Sequence, residues 1–178
     1  MKDRISLVNI VLIGVAAALL FSVQVAISFL PNIELVTLLI ILYTLHFKSK
    51  ALYIIYIFVI LECIIYPFGL WCIVYFYIWA ILYIAAYLCR RFTSPLFWAV
   101  FGAFYGLIFG TLSSFPYFFV NGIGGGLTYI VAGIKFDLLH CFGNFILILT
   151  LFKPLNNIIM KLTHVNIENG STREDIYS

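Results

Sequence analysis

Charge is what this chain has least of. Asp, Glu, Lys and Arg make up 10% of its 178 residues, whereas soluble domains carry roughly 25%. The chain is 65% hydrophobic with a mean hydropathy of +1.14, more apolar surface than so few charges can cover in water. A water-soluble domain is therefore excluded, and an integral membrane protein is expected. The net charge of +3 falls in pairs at loops and forms no stripe, which argues against nucleic acid as a partner. Cysteine is sparse. Cys63, Cys72, Cys89 and Cys141 stand in apolar segments without CxxC or Cys/His spacing, so they read as small buried hydrophobes and no metal site is expected. The glycine-rich stretch from Asn121 to Gly126 follows no strand and has neither Walker A nor GxGxxG form, so it is expected to be a flexible, uncharged loop. GxSxG and HExxH are also missing, which removes two common hydrolase signatures.

Long apolar runs are what the chain has in abundance, and six membrane helices are expected in one membrane domain over residues 1–163. The first run, from about Ile5 to Leu30, is far longer than the roughly 7 to 15 residues of a signal-peptide core, so it reads as a retained helix. Along it Gly14, Ala18, Ser22 and Ala26 recur at every fourth position. Such a small-residue ridge lets another helix approach closely, from within the protein or from a docked partner. Pro31 ends this run. Asn32 and Glu34 open a second span reaching Phe47, and a third runs from Ala51 to about Tyr66, stopping at Pro67-Phe68-Gly69. At roughly 16 residues each, both are short for a bilayer about 30 Å thick, as helices that begin or end in a cavity would be.

The fourth span, Leu70 to Cys89, carries Trp71, Tyr75, Trp79, Tyr83 and Tyr87 four residues apart. This aromatic ridge serves packing or interfacial anchoring, with Trp71 and Tyr75 as candidates for stacking on a ligand. Pro95 opens a fifth span expected to run to about Val120, with Pro116 kinking its outer end. Gly102, Gly106 and Gly110 in this span form a ridge for close helix packing. The sixth span covers Thr128 to Phe152 and leads to a polar tail, 164–178, expected to be disordered. The tail contains the glycosylation sequon Asn169-Gly-Ser171, which would matter only on a lumenal face.

The sixth span holds the polar residues that stand out against this background. Asp137, His140, Cys141 and Asn144 fall at i, i+3, i+4 and i+7, one helical face, with Lys135 nearby. Ionisable groups are costly in a bilayer unless they face a protein interior or a cavity, so this face should point inward. Lys and Arg alternate between loops, and the positive-inside rule then puts both termini in the cytoplasm. Glu34, Glu62, Lys135 and Asp137 then lie in the outer half or at the midplane, level with Trp71, Tyr75, Tyr117 and Asn121. A polar, aromatic-lined pocket open to the outside is the expected arrangement. The plainer alternative is that Lys135 pairs with Glu62 or Asp137 only to make a buried charge tolerable.

The Pro31-Asn-Ile-Glu-Leu-Val-Thr37 stretch, the small-residue ridge on the first helix, and Ala132-Gly-Ile-x-Phe-Asp137 followed by His140 and Asn144 resemble the substrate-binding S component of an energy-coupling factor (ECF) transporter. The resemblance extends over nearly the whole chain. It implies a bacterial plasma-membrane protein that binds a vitamin-like micronutrient at its extracellular side with high affinity. It further implies docking to a transmembrane T subunit and two ATPase subunits, after which the S component topples and releases its cargo inward. The ridge of Gly14, Ala18 and Ser22 would meet the T subunit, and the loop from Pro31 to Glu34 would help close the site. ATP would be used by the partners, and this chain would bind no cofactor and catalyse no reaction. Two positions depart from the family pattern: Gly14, Ala18 and Ser22 stand where it has Ala-x-x-x-Ala, and Lys135 where it commonly has Pro.

Two other classes compete with this reading. A membrane-embedded enzyme would use His140 as acid or base with Asp137 orienting it. An autonomous ion-coupled carrier would relay charge through Glu62, Lys135 and Asp137, but the two halves of the chain show none of the inverted repeat that many such carriers have. Three carboxylates against one Lys at the expected site level favour a cationic or donor-rich ligand. Thiamine, riboflavin, pyridoxine, folate, queuosine-type bases and corrinoids all remain open on this basis.

Overall fold

The computed structural model describes residues 7–30 and 33–174, with side chains described as far as Leu162. Pro31 and Asn32, expected to end the first helix and open the second, lie outside the described residues. The helices are α1 (Leu7–Ile27), α2 (Val36–Phe47), α3 (Ala51–Ile65), α4 (Leu70–Leu88), α5 (Pro95–Ser113) and α6 (Phe115–Glu174), with a 3-10 turn, Lys48–Lys50, between α2 and α3. Among the described residues there is no strand. Four of the helices are long and apolar enough to cross a membrane: α1, α4, α5 and the Phe115–Leu162 part of α6.

The remaining two are shorter, and only α2 is enclosed, since α3 leaves Tyr53, Ile60, Ile64 and Ile65 exposed. α2 has 12 residues and α3 has 15, about 18 Å and 22 Å at 1.5 Å per residue. Every residue of α2 from Val36 to Thr44 is buried, as expected for a helix that is apolar all round and enclosed by its neighbours. It packs on α4 and α6, while α1 lies against α3 and α3 against α4. α1 turns Ile13, Ala16, Ala17 and Leu20 to the core. Its Gly14, Ala18, Ser22 and Ala26 ridge is exposed, so that ridge does not pack within the protein.

The most intimate contact joins α5 to α6, and the glycine ridge explains it. A Cβ on Gly106 would lie 2.8 Å from the His140 carbonyl carbon and 2.9 Å from the Cys141 nitrogen; one on Gly102 would collide with Ile148. At Gly110 it would sit 2.5 Å from Asp137 Oδ2. At Gly106 backbone therefore rests on backbone, while Gly102 and Gly110 make room for the Ile148 and Asp137 side chains.

Three sequence expectations change here. α5 ends at Ser113 rather than near Val120, and Pro116 lies in the first turn of α6, where a missing N–H goes unneeded. The stretch 121–126 is helical, not a loop. Its one departure is Gly122, with φ 68° and ψ −174°, a left-handed conformation that glycine enters without a Cβ penalty. The kink expected at Pro116 thus falls at Gly122. Finally, α6 continues as helix to Glu174, through most of the segment read as a disordered tail, and 175–178 lie outside the described residues.

The two ends of the bundle differ in chemistry. At one, Lys50 Nζ donates to Asn9 Oδ1 at 2.9 Å, His46 Nε2 lies 2.9 Å from Asn156 Oδ1, and Arg90 Nη1 donates to the Tyr87 carbonyl at 3.1 Å. At the other, α1 and α3 finish, α2 and α4 begin, and carboxylates gather beneath aromatic rings.

Candidate binding site

Glu34 is the first fixed point. It precedes α2, and its Oε2 accepts a 2.8 Å hydrogen bond from the Thr37 backbone N–H, satisfying one of the orphan donors of the helix's first turn. Its Oε1 accepts from His140 Nε2 at 2.9 Å, and both side chains are buried. The first turn of α2 is thereby tied to the middle of α6. In the connection between α1 and α2, burial pushes the Glu34 carboxyl up, but the hydrogen bond and charge of His140, with the Thr37 bonds, hold it below its ordinary value of 4.5.

Aromatic rings extend from this pair toward the end of the bundle. Phe109 meets His140 edge-on at 4.9 Å and lies 5.7 Å from Trp79. Trp79 meets Tyr75 at 5.5 Å and 79°, and Tyr75 meets Trp71 at 5.3 Å and 83°, the edge-to-face arrangement that ring quadrupoles favour. The spacing of four residues on α4 produces the ladder.

Two adjoining cavities lie along it. The inner one, about 170 Å³, is bounded by Glu34, His140, Phe109, Trp79 and Tyr75 on one side and by Gln24, Ser28 and the α1–α2 connection on the other. The outer one, about 500 Å³, shares Gln24, Ser28 and Tyr75 with it and adds Glu62, Tyr66, Pro67 and Trp71. Four of the seven buried side-chain polar atoms without hydrogen-bond partners among the described residues lie in these walls, Gln24 Oε1, Glu62 Oε1, Trp79 Nε1 and His140 Nδ1; the others belong to Thr37, Ser113 and Asn144. An unmet buried donor or acceptor costs about 1–3 kcal/mol, so four around one space mark it as a place built for polar contact. Among the described residues no group of His, Cys, Asp or Glu is arranged to hold a metal.

Of the sequence candidates, Glu34, Glu62, Trp71, Tyr75 and His140 line these cavities. Asp137 and Asn144 are buried but line neither. Asp137 Oδ1 accepts from the Gly110 backbone N–H at 2.9 Å, and Asn144 Nδ2 donates to the Gly102 carbonyl at 3.2 Å, so both sit in the α5–α6 seam. His140 takes Glu34 as its hydrogen-bond partner and Asp137 takes Gly110, so the Asp137–His140 dyad of the enzyme reading is not formed. Tyr117 stacks on Tyr129 at 4.1 Å, and Asn121 is exposed.

Lys135 departs from its expected inward position. It is exposed, its Nζ lies 5.0 Å from the Phe136 ring, and among the described residues it makes no ion pair with Glu62 or Asp137. Helical geometry explains this, because two residues of helix turn a side chain by about 200°. Lys135 therefore points away from the face that Asp137 shares with His140.

Sequence reasoning missed Gln24, Ser28 and Phe109, and treated Trp79 only as part of a ridge. Gln24 was the findable one: it is the sole amide in the last four turns of a helix whose other polar residues are Asn9 and Ser22. Comparison with protein families, with curated proteins and with solved structures finds no match.

Proposed function

We propose that this chain is a membrane-embedded binding subunit for a small polar micronutrient, of the S-component type found in ECF importers. One observation carries the reading: two adjoining cavities of about 170 and 500 Å³ lie beside an aromatic ladder, with unpartnered buried polar atoms in their walls. A few convergent polar groups in an apolar concavity are the usual form of a small-molecule site. The finer reading has six crossings of a bacterial plasma membrane, both termini in the cytoplasm and the cavities facing outward. It is supported by the gathering of Lys48, Lys50, Arg90 and Arg91 at the opposite end of the bundle, where the positive-inside rule would put the cytoplasm. α2 would count as a crossing by virtue of its burial in the bundle, and α3 by the apolar face it exposes, including Tyr53, Ile60 and Ile64, not by their own length.

In this reading ATP is hydrolysed by separate subunits and a T subunit docks on the exposed ridge of Gly14, Ala18 and Ser22, a face along which another helix can approach closely. Native mass spectrometry of the detergent-purified chain tests the proposal. A retained vitamin-sized ligand is the expected result. An empty protein that also shows no thermal shift across a vitamin panel would sink it, and uptake by the chain alone in liposomes would favour an ion-coupled carrier instead.

A further inference from the structure

The geometry points to a specific ligand class for this site: a cationic or amine-bearing heteroaromatic molecule, with one ring in the inner cavity and its charged or donor-rich part beside Glu62. This inference rests on the binding reading above and narrows it. The inner cavity, about 170 Å³, matches the scale of the ~150 Å³ cavity known to take a single benzene ring, so a fused polycycle would be too large for it. Tyr75, Trp79 and Phe109 on its wall offer ring faces and edges for a flat guest.

The polar atoms decide the charge. His140 Nε2 faces Glu34 Oε1 at 2.9 Å, and an ionised carboxylate only accepts, so Nε2 carries the proton of this bond. The unpartnered atoms along the cavities then include two acceptors, Gln24 Oε1 and Glu62 Oε1, and one donor, Trp79 Nε1, with His140 Nδ1 beside them. Among the described residues no Lys or Arg lines either cavity, whereas two carboxyl side chains do. A ligand rich in donors satisfies this set. An anionic one would meet Glu62 with no Lys or Arg to receive it, the one imidazole in the walls being already engaged by Glu34, which is a means of rejection.

The test is isothermal titration of the purified full chain with thiamine and pyridoxamine as amine-bearing ring probes and with nicotinate, pantothenate and biotin as anionic ones, alongside identification of any retained ligand by native mass spectrometry. The expected result is binding of an amine-bearing ring compound, weakened at least ten-fold in Glu62→Gln and in Gln24→Leu and unchanged in Lys135→Gln. Binding of a carboxylate or of a ringless molecule, or affinity indifferent to both cavity variants, overturns the ligand class while leaving the binding-subunit reading in place. No retained ligand and no binding by any probe overturns both.

Discussion

Two groups of buried polar side chains in this protein differ in what they face. In the α5–α6 seam, Asp137 and Asn144 reach across to backbone groups of Gly110 and Gly102, where absent side chains leave the facing helix bare. Around the cavities, buried Glu62, Trp79 and His140 and half-buried Gln24 each keep an atom unmatched along a shared space. Residue type does not distinguish the two regions, since each contains a carboxylate and an amide. In the seam each side chain has a partner on the facing helix, although Asn144 Oδ1 remains unmatched; around the cavities the unmatched atoms are those that the proposed ligand would satisfy.

The largest effect should come from filling the seam. Gly106→Leu drives a side chain into the α6 backbone at His140, where neither partner can give way, and should cost more than the ~1–3 kcal/mol of ordinary overpacking. Loss of a monodisperse peak in size-exclusion chromatography is expected, and a well-folded variant would refute the close-packing account. Next in size is Asp137→Ala. Losing the acceptor for the buried Gly110 N–H should lower stability by about 1–3 kcal/mol, read as a fall in thermal midpoint, with ligand affinity essentially kept. A large affinity loss at unchanged midpoint would move Asp137 into the site.

Cavity variants should break the comparison in the other direction. Trp79→Phe removes an unmatched donor while keeping an aromatic ring, so the ligand-free midpoint should stay level or rise while affinity falls several-fold. A fall in both would mean that the indole N–H serves the fold. The smallest effect is one of pH. Because Glu34 has a folded value held below its ordinary 4.5, its contribution is complete above that ordinary value and disappears as pH falls through the lower folded one. The thermal midpoint of the ligand-free protein should therefore drop on acidification below about pH 4, and Glu34→Gln should flatten that part of the curve. An unchanged slope in the variant would assign the acid sensitivity to other groups.

Much of this was readable from residue spacing, because a polar residue in an apolar helix has few places to go. The period of Asp137, His140 and Asn144 put them on one buried face, and the four-residue rhythm of Trp71, Tyr75 and Trp79 became the ring ladder. The division of that face was not readable: whether a buried carboxylate meets a backbone N–H or a cavity depends on which glycine of α5 lies opposite, a matter of helix register. Lys135 was misjudged by weighing its charge above its angular position. The stretch 121–126 was misjudged because glycine lowers local helix propensity by about 1 kcal/mol per residue without forbidding a helix. Only Gly122 departs from helical backbone there.

The link between Glu34 and His140 also has a consequence for biosynthesis. The two residues are 106 positions apart in the chain, and His140 belongs to the last helix. In the six-crossing reading, α2 would meet the membrane before α4 and α6, the neighbours that later enclose it, and at 12 residues it is too short to hold a transmembrane position by its own hydrophobicity. The middle of the finished bundle is therefore among the last parts to settle. A chain stalled before His140 would present Glu34 to the insertion machinery without the imidazole that receives it, making such intermediates natural targets for membrane quality control.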